Sequence, residues 1–326
     1  MTWMITGGAG YIGSHVVKAL VDSGHRVVVF DDLSTGDPAR LPDGVALERG
    51  TVLDRAALDR VMREHGVEGV VHIAAKKQVG ESVERPLWYY RENVEGLRTV
   101  LEAAAEAGVR RFLFSSSAAV YGMPDVDLVT EQTPCEPMSP YGETKLAGEW
   151  LVAATGGAHG MATACLRYFN VAGAASPELG DPGVFNLVPM VFQRLSEGKR
   201  PLIFGTDYPT PDGTCVRDYI HVEDVAAAHV AAARRLTEDP QARLVLNIGR
   251  GEGVSVAEMV TLIAEVSGHT DLEPEVAPRR PGDPARVVAS AEAITKELDW
   301  TAQHDVRSMV ASAWAGWQLR HPATEG

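Results

Sequence analysis

Apolar positions in the first half of the chain follow two alternating patterns. Short runs such as Trp3-Met4-Ile5 and Val27-Val28-Val29-Phe30 are apolar without a break, as in strands buried on both faces. Between them, residues 14–22 place Val16, Val17, Leu20 and Val21 inward on a helix, with Gly24 as its stop. Residues 67–74, 112–115 and 163–169 continue the strand series, and helices are predicted near 55–65, 87–107 and 141–154. Strands alternating with helices imply right-handed crossovers, hence an α/β fold built on a doubly wound parallel sheet.

Beyond Asn170 the texture changes. Gly173, Pro177, Gly180, Pro182, Gly183 and Pro189 crowd the chain, and strand signals shorten. A helical run at 222–236 interrupts this region, and its alanine-rich face suits packing on a sheet better than solvation. The predicted organisation is a nucleotide-binding domain of residues 1–170 plus about 221–236, and a smaller mixed α/β substrate domain of about 171–220 and 237–326. A length of 326 residues accommodates two such units.

Composition narrows the classes of function. Hydrophobic residues at 45% and charged residues at 23% fit a soluble globular protein. A net charge of −14 argues against a nucleic-acid or anionic-membrane surface, since both need clustered Lys and Arg. The opening residues lack the basic and long apolar regions of a signal peptide. No apolar run approaches the roughly 18 residues of a membrane helix. Cys135, Cys165 and Cys215 are widely spaced and the ten histidines show no metal-ligand spacing. The expectation is a reduced, cytoplasmic, metal-free enzyme.

Four features carry chemistry. Thr6-Gly7-Gly8-Ala9-Gly10-Tyr11-Ile12-Gly13 joins the first strand to the first helix, where Gly7, Gly10 and Gly13 permit a tight turn and close approach of a pyrophosphate to backbone N–H groups. Asp31, ending the second strand about 20 residues on, can accept hydrogen bonds from adenosine ribose hydroxyls and repel a 2′-phosphate, which favours NAD. Ser115-Ser116-Ser117 lies at the C-terminal end of a buried strand, the sheet edge where ligands sit. Finally, Tyr141 and Lys145 are spaced i, i+4 and so share a helix face. An ammonium there favours a phenolate and can bring a phenol with a pKa near ~10 toward a working range.

With this Ser–Tyr–Lys set behind a nucleotide-binding turn, the chain resembles the extended short-chain dehydrogenase/reductase family, whose nucleotide domain is Rossmann-type. More narrowly it is similar to the UDP-glucose (UDP-galactose) 4-epimerases within it. The likeness runs from Thr6 to His321 through Lys77-Gln-Val-Gly-Glu-Ser-Val83, Ser139-Pro-Tyr-Gly-Glu-Thr-Lys145 and Leu166-Arg-Tyr-Phe-Asn170. Late segments are Phe204-Gly-Thr-Asp-Tyr-Pro-Thr-Pro-Asp-Gly-Thr214, Val216-Arg-Asp-Tyr-Ile-His-Val222 and Ala277-Pro-Arg-Arg-Pro-Gly-Asp283.

The resemblance implies that Tyr141 takes the proton of the sugar 4-hydroxyl while C4 gives a hydride to NAD. Ser117 would bond the same oxygen, and Lys145 would bind the nicotinamide ribose and lower the tyrosine pKa. The 4-ketopyranose would turn over and receive the hydride on its other face. Cofactor contacts are implied for Gly7, Gly10, Tyr11, Ile12, Gly13, Asp31, Asp32, Leu33, Ser34, Thr35, Thr51, Val52, Ile73, Ala74, Ala75, Lys77, Ser115 and Phe169. Around the UDP-sugar it implies Lys77, Asn170, Asn186, Leu187, Leu202, Ile203, Phe204, Arg217, Arg280 and Asp283, with both arginines suited to the diphosphate. A homodimer through the helices at 87–107 and 141–154 is also implied.

Four departures stand out. Thr51 follows Gly50 where the family usually has an aspartate on the adenine amino group, Lys76 replaces a smaller or apolar residue, and Glu92 replaces an asparagine. The position that lines the pocket near the sugar's C2 falls on Arg286 or Val287, neither of them the bulky tyrosine that tends to exclude N-acetyl sugars. Among rivals, a 4,6-dehydratase needs an Asp-Glu pair after the strand-end hydroxyl, and here Ala118-Ala119 follow Ser117. A UDP-hexuronate decarboxylase leaves the late motifs unexplained. A catalytically dead nucleotide-binding regulator has no need of Ser117, Tyr141 and Lys145 together.

Overall fold

The computed structural model describes residues 1–280 and 282–322. Its first part alternates β1 (Thr2–Thr6), α1 (Tyr11–Asp22), β2 (Arg26–Asp31), β3 (Ala46–Arg49), α2 (Arg55–Glu64) and β4 (Gly69–His72). Then come α3 (Val79–Glu84), α4 (Pro86–Tyr89), a π-helical segment (Tyr90–Glu95), α5 (Gly96–Glu106), β5 (Arg111–Ser117), α6 (Pro140–His159) and β6 (Ala162–Tyr168). The second part runs β7 (Asn170–Ala172), α7 (Leu187–Ser196), β8 (Leu202–Phe204), β9 (Val216–His221), α8 (Val222–Glu238) and β10 (Arg243–Ile248). It ends with β11 (Gly253–Ser255), α9 (Val256–Ser267), β12 (Glu275–Ala277), β13 (Arg286–Val287), α10 (Glu292–Leu298) and α11 (Val306–Arg320).

Seven parallel strands form the main sheet in the order β10-β6-β5-β4-β1-β2-β3. Both faces are covered, which is why its strands read as unbroken apolar runs. Trp3, Ile5, Val29, Val71 and Leu113 point to one face, where Val16, Val17 and Leu20 of α1 meet Val225, Ala228, Ala232 and Leu236 of α8. Met4, Val28, Phe30, Val70 and Phe112 point to the other, against Leu58 and Val61 of α2 and Leu97, Val100 and Ala104 of α5. Each such fully buried aliphatic side chain contributes about 1.5–3 kcal/mol. The strand order reverses between β1 and β4, so the crevice beyond their C-terminal ends is the ligand position of an open α/β sheet.

A smaller sheet is built around β9, which pairs with β7 and β13 in parallel and with β11 antiparallel; β8 and β12 form a separate parallel pair. Val191 and Phe192 of α7, Met259 and Ile263 of α9, and Met309 and Trp317 of α11 bury one shared core beside it.

Four details differ from the sequence reading. The strand expected at 67–74 stops at His72, because Asn93 captures the chain beyond it: Lys76 N–H donates to Asn93 Oδ1 at 2.8 Å and Asn93 Nδ2 donates to Lys76 O at 2.9 Å. The single helix expected at 87–107 is divided by the π-helical turn that carries Asn93. β3 is half-buried at the sheet edge and so lacks an apolar run. β10, which the sequence reading grouped with the substrate domain after 237, pairs with β6 in the main sheet, and Ile294 and Leu298 of α10 join the core on that face.

Candidate active site

The glycine turn is set by close packing. Gly7 has φ of +72°, and a Cβ there would lie 2.7 Å from the backbone nitrogen of Ala74; a Cβ on Gly13 would lie 2.0 Å from Gly7 O. Helix α1 therefore starts directly on the loop, with its first N–H groups facing the crevice. At the end of β2 the Asp31 carboxylate accepts N–H groups of Ala9 at 3.0 Å and Leu33 at 2.9 Å. Burial raises its pKa, and those two hydrogen bonds oppose the rise. The bond to Leu33 also holds that residue at φ +59°, a conformation that costs a side-chain-bearing residue about 1–3 kcal/mol.

At the other end of the crevice Ser139 caps α6, its Oγ accepting the Gly142 N–H at 3.2 Å, with Pro140 in the first turn. This starts the helix just before Tyr141 and places Lys145 one turn on. Tyr141 is hydrogen-bonded to Ser117, and Lys145 Nζ donates to the backbone O of Ser115 at 2.7 Å, 5.9 Å from the Tyr141 ring centroid. Burial raises the phenol pKa and the Ser117 bond offsets part of the rise. The expected depression by Lys145 is absent from this balance. Burial pulls the lysine itself down to about 8, and its amine is directed at a strand-end carbonyl. Ionisation of the phenol therefore needs further positive charge beside it.

One cleft connects these two ends. It is lined by Gly7, Gly10, Tyr11, Ile12 and Gly13, by Asp31, Asp32, Ser34, Thr35, Thr51 and Val52, and by Ile73, Ala74, Ala75, Lys77, Ser115, Tyr141 and Lys145. Lys76 and Glu92, two further departures, line it together with Thr51. Two expected cofactor residues lie off the lining. Leu33 takes part through its backbone, and Phe169 is buried against Tyr121, Leu146 and Val287.

The expected sugar-nucleotide residues fall on the smaller sheets and the loop before α7. Asp181, Pro182, Gly183 and Phe185 line the cleft, and Asn186 follows them as N-cap of α7, which begins at Leu187. Leu202, Ile203 and Phe204 form β8, with the Arg280 guanidinium stacked 3.9 Å from the centroid of the Phe204 ring. Arg217 on β9 stands 3.4 Å from Asp283, and Asn170 is in register with Tyr219, two residues along that strand. Val287 is buried beside Phe169, whereas the Arg286 Nε donates away to Asp127 O at 3.0 Å. Of the two candidates for the C2 position, Val287 is the inward one.

Several residues of the site carried no sequence signal. Glu149, one turn beyond Lys145, forms a buried fork with Arg167, with bonds of 2.8 and 2.6 Å, and accepts from Ser116 Oγ. Arg167 also donates to Tyr121 Oη at 2.7 Å, which reaches Asn247 on β10. Tyr168 lies behind Ser115 and contacts His229 of α8. A polar residue on a helix reads as solvated unless the fold closes over it. His221 and His304, far apart in sequence, stack 4.1 Å apart near Glu223, but both His221 nitrogens are engaged, by Glu223 N–H and Ser312 Oγ.

Residues 3–249 match the model of the NAD dependent epimerase/dehydratase family. A UDP-glucose 4-epimerase of Azospirillum brasilense is 44% identical over 97% of this chain and 91% of its own. The Stenotrophomonas maltophila UDP-glucose 4-epimerase, solved with NAD and formylated UDP-arabinopyranose bound, superposes with a TM-score of 0.94 at 39% identity, covering 99% of this chain and 100% of its own. The Bifidobacterium longum enzyme, solved with NAD⁺ and UDP, gives 0.90 at 36% identity over 99% of both chains. Glycine turn, strand-end serines and helical Tyr–Lys pair thus stand in a chain alike along its whole length, and it belongs to the NAD-dependent epimerase/dehydratase family, on its UDP-glucose 4-epimerase branch.

Proposed function

We propose that this chain interconverts UDP-galactose and UDP-glucose by inverting C4 of the hexose through a 4-keto sugar. The observation that carries the reading is the continuity of the cleft from the Gly7–Gly13 turn to Tyr141 and Lys145, with Ser117 bonded to the tyrosine. Its two-ended shape fits NAD: backbone N–H groups of α1 suit a pyrophosphate, and Asp31 stands at the ribose position of a Rossmann fold. When bound, NAD supplies a reversible hydride acceptor.

In this reading Tyr141 removes and returns the proton of the sugar 4-hydroxyl, and Ser117 holds the same oxygen. Lys145, kept near Tyr141 by Ser115 O and favoured in its charged form by Glu149, supplies part of the positive charge that brings the phenol into range. Arg217 and Arg280 grip the diphosphate, releasing Asp283 and the Phe204 ring respectively. Because the resemblance puts Arg286 or Val287 near the sugar's C2 and the buried one of the two is a valine rather than a bulky ring, the proposal extends to UDP-N-acetylhexosamines as substrates.

A homodimer is part of the proposal. Leu87 of α4 and Trp150 of α6 are 84% and 65% exposed, on the helices expected to meet a second copy, and Val83 of the preceding α3 is 63% exposed. The test of function is incubation of the purified protein with UDP-galactose and no added nucleotide. UDP-glucose is the expected product, and no conversion even with NAD supplied would sink the reading.

A further inference from the structure

The loop before α7 is held to the nucleotide domain by three buried side chains. Tyr11 Oη donates to Gly173 O at 2.6 Å, and His15 Nε2 accepts the Ala175 N–H at 3.1 Å. The third is Arg40, in the stretch between β2 and β3. Its Nη2 donates to two successive carbonyls, Leu179 O at 2.7 Å and Gly180 O at 2.9 Å, and its Nε reaches Ser14 Oγ at 3.4 Å. Tyr11, His15 and Arg40 are 6%, 2% and 6% exposed. A guanidinium this far from water normally faces a carboxylate. Here its hydrogen-bond partners among the described residues are neutral oxygens, so its charge strengthens two bonds to one loop. Helix α11 closes on the same point from the other side, since a Cβ on Gly316 would lie 2.9 Å from Gly180 Cα. The next residues of the loop, Asp181, Pro182, Gly183 and Phe185, line the cleft together with the Gly7–Gly13 turn. Asp181 Oδ1 accepts the Gly183 N–H at 3.0 Å, which carries the hold on Gly180 into the lining.

We propose that Arg40 is a positioning residue for the cofactor, clamping this loop along the cleft so that bound NAD leaves slowly. This rests on the NAD reading above. Inversion at C4 needs such retention, because the hydride must return from the same nicotinamide before the keto sugar or the cofactor escapes. Tyr11 and His15 lie on α1, whose N-terminus suits the pyrophosphate, so the loop is joined to the helix that holds the nucleotide. Without the guanidinium the loop keeps its ties at 173 and 175 but loses those at 179 and 180, next to the residues that line the cleft.

The test uses the full-length chain loaded with radiolabelled NAD and chased with excess unlabelled NAD. Release from Arg40→Met should be about tenfold faster than from wild type, the effect of losing charge-assisted hydrogen bonds. Arg40→Lys keeps the charge and a donor, and should stay within about threefold of wild type. In turnover of UDP-galactose, Arg40→Met should need about tenfold more added NAD for half-maximal rate, with the rate at saturating NAD changed by less than about threefold. A residue that only supports the fold would lower the saturated rate and the melting temperature and leave the NAD requirement in place. Gly316→Ala pushes on Gly180 from the other side without touching the guanidinium. It should also quicken release, which keeps the test open if Arg40→Met fails to fold. Release within about twofold of wild type in Arg40→Met, or in Gly316→Ala where Arg40→Met does not fold, overturns the proposal. Equal quickening in the Met and Lys variants overturns it too, since the effect would then follow side-chain shape rather than the bonds. A wild-type chain that takes up no labelled NAD overturns the NAD reading on which the clamp rests.

Discussion

Replacing Glu149 by glutamine removes one charge from a pair whose side chains are 5% and 6% exposed. The Arg167 guanidinium would keep its bond to Tyr121 Oη but lose both bonds to the carboxylate, 2.8 and 2.6 Å long. Breaking a buried pair from one side costs about 3–5 kcal/mol, because the remaining charge stays out of water. At roughly 2 °C per kcal/mol for a long chain, the melting temperature should fall by roughly 6–10 °C. Glu149→Leu with Arg167→Met removes both charges and should recover much of the loss, with Ser116 and Tyr121 left short of partners at about 1–3 kcal/mol. The functional effect has a separate origin. Glu149 favours the charged form of Lys145, whose pKa burial holds at about 8, so its removal lowers that value further. Activity that needs the ammonium falls as pH rises through the lysine pKa, and this fall should move to lower pH in both variants alike. Thermal melts and the pH profile of UDP-galactose turnover check the two effects. A melt within 2 °C of wild type refutes the energetic argument, and superimposable pH profiles refute the link to Lys145.

Further outcomes follow from the same geometry. Tyr141→Phe should retain the fold and bound NAD but lose about 10²–10⁴-fold in turnover, as expected for a general base; near-wild-type rates would remove Tyr141 from the mechanism. Val287→Tyr should cut turnover of UDP-N-acetylgalactosamine far more than that of UDP-galactose, because the added ring fills the space beside Phe169; equal effects on both substrates count against the C2 assignment. Leu87→Glu with Trp150→Glu should give a monomer by sedimentation, since both side chains are exposed on the proposed dimer face; an unchanged sedimentation coefficient argues against it. Thr51→Asp places a carboxylate at the adenine end of the cleft and should tighten NAD binding, measured by titration of the stripped protein.

Much of the nucleotide end was legible because its signals are local. Gly13 is required by its approach to Gly7 O within one turn and Gly7 by its φ of +72°, and Asp31 accepts the N–H of Leu33 two residues on; the packing of Gly7 on Ala74 and the bond from Ala9 to Asp31 are the tertiary part. Tyr141 and Lys145 share a helix face whatever the rest of the chain does. Less legible were the interruption at 90–95 and the return of β10 to the main sheet. The first depends on Asn93 reaching the loop after β4, and the second on where α8 delivers the chain, and neither leaves a periodicity.

The order of strands and helices, the glycine turn and the pairing of Tyr141 with Lys145 on one helix face were written in the sequence, since each arises from residues a turn or a strand apart. Tertiary structure decided the electrical state of that pair. Burial raises Tyr141 and lowers Lys145, and the groups that offset it, Ser117 on β5 and Glu149 on α6, act only once the sheet brings the helix against the strand. It also decided which of two neighbours is buried, Val287 rather than Arg286, because a strand shows alternate side chains to alternate faces. The contacts of Tyr168 with Ser115 on β5 and with His229 on α8 belong to the same class, since they join three separate elements and no single stretch of sequence holds them together.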